Sequence, residues 1–540
     1  MKIKRIGVAA IALAAAGALT LSGCTSGGAS PSADAGASTA VITTNGSEPQ
    51  NPLVPAITNE TGGGKILNAI FAGLVHYEAD GSAVNELAES IDSDDAQNYT
   101  IKIKSGETFT NGEEITAQSF VDAWNYTSQT EEQALNGSYF FSSIAGYEDP
   151  TAPELSGLKV VDDTTFTVEL SQPESDFPLR LGYSAFYPMP SVAYEDIDAY
   201  GENPIGNGPY MLDGEGAWKH NEKIDLVVNP DYDGPRKAVN GGLDIVFYAT
   251  QEAAYADLQG GNLDVLDAIP DSALATYEDE FPDRSVNQGA AVFQSFTIPG
   301  RLPHFSGEEG QLRRAAISKA INREEITDVI FSGTRTPAHD FTSPVIDGYS
   351  EEIPGSDVLE FDDSEAQELW AEADAISPWS GTFQIAYNAD GGHQAWVDAV
   401  ANNLKNALGI DASGAPYPTF AELRTAVDDR TIQTAFRTGW QGDYPALANF
   451  LGPIYVTNAG SNDGDYSNPE FDALIEEGLG ETDLATANEK FQQAQEILFQ
   501  DLPAIPLWYA TANGAWSELV EDVEFGWDGV PLYYSITKSE

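Results

Sequence analysis

The 540-residue chain contains a single cysteine, Cys24. That excludes an intramolecular disulfide and any cluster of thiolate metal ligands. Histidine is nearly as scarce: His76, His220, His304, His339 and His393 are all there are, and no two lie three to five residues apart. With no His-Glu-x-x-His either, a zinc site is not expected. A Gly-x-Ser-x-Gly elbow, a Gly-x-Gly-x-x-Gly turn and a phosphate loop ending in Gly-Lys-Ser/Thr are likewise missing, so no cofactor and no enzymatic activity are expected. Basic residues form the third shortage, 25 Lys and Arg against 85 Asp and Glu, for a formal net charge of −60. Such a surface repels nucleic acid and anionic lipid, which removes both as partners. Acidity alone does not separate a solvated or salt-adapted surface from an attractor for cations.

What is present begins at the N-terminus. Met1-Lys2-Ile3-Lys4-Arg5 is positively charged, and an apolar run follows from Ile6 to about Leu21. The run is short for a membrane span and suits a secretory signal. It ends in Leu21-Ser22-Gly23-Cys24, which resembles a bacterial lipobox, so 1–23 is expected to be removed and Cys24 to carry a diacylglyceryl group. No twin arginine precedes the run, which favours general secretion. Residues 24–40, rich in Ser, Gly and Ala, read as a lipidated cysteine and flexible tether.

Apolar residues make up 42% of the chain, enough for large cores, and the length calls for more than one lobe. Tyr99 to Lys104 alternates with period two, and Lys159–Val161 with Thr165–Leu170 reads as a hairpin. Trp396, Val400, Leu404 and Leu408 repeat every four residues ahead of Gly409, predicting a capped helix. Ser364-Glu365-Ala366-Gln367 has capping-box spacing, and Phe491, Ala494 and Leu498 mark a helix closed by Pro503. Thr61-Gly62-Gly63-Gly64-Lys65 reads as a loop before a helix. Strands and helices interleave throughout, giving an α/β class.

Several segments resemble, in order, the family 5 extracytoplasmic solute-binding proteins of peptide-type ABC importers. They include Asn45–Gln50 and Ile70–Val75, the stretch Phe109–Trp124, and Asn203-Pro204-Ile205-Gly206-Asn207-Gly208-Pro209-Tyr210. Asn229–Tyr232, Leu312–Arg323, Gly439–Tyr444 and Tyr466–Asp472 follow in register. The resemblance implies a two-lobed type II periplasmic-binding-protein-like fold with a hinge and an extra domain. Lobe I would use 41–71, 199–292 and 511–540, the additional domain 72–198, and lobe III 293–510. It implies a monomer anchored by lipid outside the cell membrane of a Gram-positive bacterium. There it would capture oligopeptides and pass them to an ABC permease with its ATPase subunits. An oligosaccharide-binding member of the same family is the alternative, and an anchored extracellular hydrolase a more distant one, since paired carboxylates are too numerous to select a catalytic dyad.

The same resemblance assigns site residues. Asp443 falls where the family grips a peptide's α-amino group, beside Trp440. Arg437 and Arg424 match arginines near the ligand's C-terminal end, His393 a histidine able to meet the carboxylate of a longer peptide, and Tyr417 a ligand-side pocket position. Backbone pairing with the ligand is expected from Asn59, Glu60 and Thr61 and from Gly439 to Gln441. Tyr139, Trp508 and Tyr509 are expected pocket walls.

Overall fold

The computed structural model describes residues 39–129, 136–147 and 154–539. The signal segment, Cys24 and all but the last two residues of the tether lie outside the described residues.

Where polar and apolar side chains alternate, the chain extends. Asn98–Ile103 is a strand whose burial alternates at every residue, and Leu158–Asp162 pairs antiparallel with Thr165–Glu169. With Ala88–Asp92 these make a four-stranded antiparallel sheet. The helix Ala117–Gln129 packs on it. Its Trp124 is fully buried, edge-on to Phe166 with ring centroids 5.5 Å apart, and the indole N–H donates to the Phe186 carbonyl at 3.0 Å. Burying so large an aromatic with its one donor satisfied is a stable way to anchor a helix.

A second sheet, of twelve strands, carries most of the remaining strands, and two small two-stranded sheets take the others described. In chain order its main strands are β1 (Val41–Gly46), β2 (Tyr210–Leu212), β3 (Lys223–Val228), β4 (Gly242–Phe247) and β5 (Val265–Leu266). Then come β6 (Ser285–Thr297), β7 (Thr382–Asn388), β8 (Asp411–Tyr417), β9 (Ala435–Gln441) and β10 (Ala504–Trp516). In space they run β8-β7-β9-β6-β10-β5-β1-β4-β3-β2. β1 is parallel to β4 and β5, and β7 is parallel to β8 and β9. Each parallel half requires crossover connections, which explains the interleaved helices.

β6 and β10, 13 residues each and mutually antiparallel, run across both halves. Ser285–Gly289 pairs with Thr511–Ala515 in one half, and Phe293–Thr297 with Ala504–Tyr509 in the other. The register shifts between Gly289 and Phe293, at the level of the expected lobe borders. Two strands with interrupted pairing at one level give the halves a crossing on which to pivot. One apolar core gathers Ile42, Leu67, Phe71 and Leu243 together with the four-stranded sheet, and reaches Tyr444 and Ala446; another gathers Phe293, Trp396, Leu404 and Trp508, and reaches Ala291 and Trp527.

Five helices carry or brace the residues singled out in the sequence: α1 (Thr61–Ile70), α2 (Gln394–Leu408), α3 (Phe420–Asp428), α4 (Leu447–Tyr455) and α5 (Leu484–Asp501). α2 ends at Gly409, whose φ of 68° is the left-handed cap its position requires. Two local readings are corrected. The glycine run is not a loop but the first turn of α1, because the Glu60 carboxylate accepts the amides of Gly62 and Gly63 at 2.8 and 2.9 Å. At the helix Asp363–Ile376 the N-cap is Asp362 rather than Ser364, its carboxylate accepting the amides of Ser364 and Glu365. No described helix is long and apolar enough to cross a membrane.

Candidate functional site

In open α/β sheets the carboxyl ends of parallel strands leave a crevice that loops and helix starts enclose. Here α1 follows β1, and β9 ends at Gln441. A cavity of about 340 Å³ opens between them. Its walls are α1 with its preceding loop, residues 76–78 and 182–187, the end of β9 and the turn 526–534.

Asp443, two residues past β9, is half-buried in that wall. Its Oδ2 accepts the Tyr139 hydroxyl at 3.0 Å and the Asn449 side-chain amide at 3.1 Å. Asn449, on α4 and fully buried, organises the corner. Its Oδ1 accepts the Asp443 main-chain amide and the Trp440 indole N–H, both at 3.0 Å, and its Nδ2 also donates to the Tyr139 oxygen at 2.8 Å. Both partners of the carboxylate are neutral and no ion pair offsets the charge among the described residues, so burial pushes the Asp443 carboxyl up to about 6. The arrangement is an anion held ready with an unmet need for a positive charge.

The cations lining the cavity are already engaged. Lys65 is ion-paired with Asp267, whose other oxygen accepts the Asn45 side-chain amide at 2.8 Å. Arg236 is ion-paired with Glu86 at 2.9 Å and donates to the carbonyls of Asn68 and Phe71 at 2.6 and 2.7 Å, closing the C-terminus of α1. His76 meets Glu78 through Nε2 at 3.1 Å.

A second carboxylate, Asp528, lines the same cavity. One oxygen accepts the Val530 amide of its own turn at 3.0 Å, and burial raises its carboxyl above the ordinary aspartate range. The Gln441 side chain donates to the Asp528 carbonyl at 3.4 Å. Ala291, on β6, accepts from the Gly442 amide and donates to the Trp527 carbonyl, both at 2.8 Å. One strand residue thus pins both carboxylate-bearing segments side by side.

The structure brings Asn59, Glu60, Thr61, Gln441 and Asp443 together in the cavity, with Tyr139 and Trp440 joined to them through Asn449. Glu60 is occupied as the cap of α1. Gly439 to Gln441 pairs with Val292 to Gln294 on one edge. The other edge of β9 pairs with β7 only at Ala435 and Phe436, so beyond Phe436 it has no strand partner among the described residues.

The remaining expected residues stand elsewhere. Arg437, third residue of β9, reaches the carboxyl end of β7, donating to Asn388 at 2.9 Å with its guanidinium over the Phe420 ring at 4.9 Å. Nearby, His393 Nδ1 accepts the Trp396 indole N–H at 3.1 Å, and Tyr417 closes β8, half-buried. None of the three lines the cavity. Arg424, on α3, is ion-paired with both Asp463 and Asp428 at 2.6 Å. Trp508 and Tyr509 are not pocket walls: they are 1% and 2% exposed. The Tyr509 hydroxyl donates to buried Asp340 at 3.0 Å, and Trp508 packs on Trp396. β10 is interior to the sheet and covered on both faces, so its whole Ile505–Tyr509 run is core.

Sequence reasoning missed Asn449, Lys65, Asp528 and Trp527. Asn449 stands only six residues beyond Asp443, within reach of a search for an amide on the next helix. The others converge through tertiary contacts that carry no local spacing. Among the described residues, no grouping of three or more His, Cys, Asp or Glu is arranged to hold a metal.

A family model described as "Bacterial extracellular solute-binding proteins, family 5 Middle" matches residues 82–462. The chain is 26% identical over 497 residues to the "Oligopeptide-binding protein OppA" of Bacillus subtilis, covering 87% of this chain and 88% of that one. It superposes on the unliganded open form of the periplasmic murein tripeptide-binding protein MppA, which occurs in Escherichia coli, with a TM-score of 0.77 at 20% identity. That match covers 93% of this chain and 97% of the other. Haemophilus influenzae OppA in complex with the peptide RPPGFSPFR gives a TM-score of 0.74 at 22% identity, covering 93% and 99%. The fold is that of a type II periplasmic binding protein, and the chain belongs to the bacterial extracellular solute-binding proteins, family 5.

Proposed function

We propose that this chain is the lipid-anchored receptor of an ABC importer, capturing oligopeptides in the cavity and delivering them to the permease. The observation that carries the reading is Asp443: a half-buried carboxylate in a cavity wall, held by neutral donors and in no ion pair among the described residues. A peptide's α-ammonium supplies the missing charge, and the pair is favourable because Asn449 and Tyr139 have already fixed the acid in place. The edge of β9 beyond Phe436 offers main-chain groups to an extended ligand, a mode that tolerates varied side chains. Arg437 lies further along the same strand, where the family likeness puts the ligand's carboxylate; Arg424, committed to Asp463 and Asp428, is left out of the site. The names of the relatives, oligopeptide- and murein-peptide-binding, support peptide as the ligand class.

The test is calorimetry on the mature chain with tri- to octapeptides, each free or acetylated at its amino terminus. Acetylation and Asp443→Ala should each weaken binding by about 2–5 kcal/mol, the usual cost of orphaning a buried charge. Equal affinity for free and acetylated peptides would remove Asp443 from this role. The aromatic lining of the cavity is what favours an oligosaccharide instead; tight binding of a glycan with no peptide binding would establish that reading. The anchor has its own experiment: Cys24→Ser should release the protein into the medium, and continued retention at the membrane counts against lipidation.

A further inference from the structure

The cavity is lined by four carboxylates, and two of them are spoken for: Glu60 caps α1 and Glu78 holds His76. Lys65 and Arg236 are matched by Asp267 and Glu86. That leaves Asp443 and Asp528, whose chain neighbours Gly442 and Trp527 both bond to the strand residue Ala291; neither acid is in an ion pair among the described residues, although the charge of Lys65 reaches Asp528. A single α-ammonium meets one of them. The rest of the lining points to the same chemistry independently of charge, for Tyr77, Tyr183, Tyr187, Trp527, Tyr533 and Tyr534 all face the space. Aromatic faces attract cations most strongly where water is excluded. Trp527 precedes Asp528 directly, and its ring stands edge-on to Tyr77 at 5.5 Å, so an ammonium or guanidinium beside Asp528 would have aromatic neighbours.

We propose that the cavity selects dicationic ligands: peptides whose first or second residue is Lys or Arg, its side-chain cation lodging against Asp528 while the α-ammonium meets Asp443. This deepens the peptide reading and rests on it. The adjacency of the two acids sets the position. Asp443 fixes the amino terminus, and Asp528 shares its wall across Gln441 and Gly442, so only side chains near that terminus reach it.

The experiment compares Lys-Ala-Ala, Ala-Lys-Ala and Ala-Ala-Lys with the same peptides carrying norleucine, which keeps the aliphatic stem and drops the charge. Calorimetry on the mature chain should show at least tenfold tighter binding for lysine over norleucine at position one or two. In Asp528→Asn that ratio should fall to near one, and Asp528→Glu should restore it. Equal lysine and norleucine affinities in the unaltered protein overturn the proposal without any variant, as does a preference confined to position three or one that survives Asp528→Asn. Should no peptide bind, 1,5-diaminopentane separates the two claims. Its binding, abolished by Asp528→Asn, upholds the dicationic site while removing the peptide reading; its failure to bind overturns both.

Discussion

Asp443 keeps its charge where water only half reaches it, and its two hydrogen-bond donors cannot supply the opposite charge. The cost of that position appears as a carboxyl titrating at about 6 in the free protein. A bound α-ammonium reverses the balance, favouring the ionised acid and lowering its pKa. Below about pH 6, therefore, ligand binding must expel a proton from Asp443, while between pH 6 and the titration of the ligand's amine it need not. Peptide affinity should be flat from about pH 6.5 to 7.5 and fall by up to about tenfold per unit below 6. Calorimetry in buffers of differing ionisation enthalpy would show proton release growing over the same range. Asp443→Asn should lose the dependence along with most of the affinity; an unchanged acid limb would assign the titration elsewhere.

At the level of elements, the glycines explain why a family segment reads as it does. Asn203-Pro204-Ile205-Gly206-Asn207-Gly208-Pro209-Tyr210 is the turn that docks on the end of α1: the Ile70 carbonyl accepts the amides of Asn207 and Gly208 at 3.0 and 2.9 Å. The Asn207 side chain clasps both main-chain groups of Ala72 at 3.0 Å. A Cβ on Gly206 would lie 1.9 Å from the Ile70 oxygen, a backbone atom with nowhere to move. Gly206→Ala should cost about 3 kcal/mol or more, read as a lowered urea midpoint. Gly64, inside α1, is the opposite case: nothing lies within 4 Å of its added Cβ. Gly64→Ala should therefore raise stability by about 0.5–1 kcal/mol in the same assay.

Local pattern is also what makes a feature legible in the sequence. Alternation locates the strand Asn98–Ile103, four-residue spacing locates α2, and motif context locates Asp443 and the β9 edge. The ion pairs that hold Arg424 out of the site, and Asp528 itself, escape for the converse reason. With 85 acids in the chain, no spacing rule selects Asp463, 39 residues from Arg424, as its partner. Nor does any rule lift the aspartate of Gly526-Trp527-Asp528-Gly529 above the other turn acids until β6 folds against it. The resemblance offers Trp508 and Tyr509 as pocket walls, and nothing local corrects it, because a strand's apolar run does not say how many of its faces are covered.

Across the whole molecule, several of the few cations work inside, Arg236, Arg313, Arg314, Lys319 and Arg323 being buried. Arg180 is ion-paired with buried Glu174 and Asp176 at 2.8 Å, Arg313 with Glu309 and Asp374 at 3.0 Å, and Arg236 and Lys65 serve the cavity. What remains outside is an excess of exposed carboxylates behind the net charge of −60. Their mutual repulsion acts over about 10 Å at 0.1 M salt and about 3 Å at 1 M, so added salt should relieve it while leaving the buried pairs almost untouched. The melting temperature should climb steadily from about 0.05 to 1 M sodium chloride. Over the same range the association rate of a cationic peptide should fall, because the field that draws it toward the cavity is screened. Those opposite slopes distinguish surface repulsion from a weakening of the site itself: a melting temperature that fell with salt would mean that ion pairs, rather than like-charge repulsion, dominate the electrostatics of the fold.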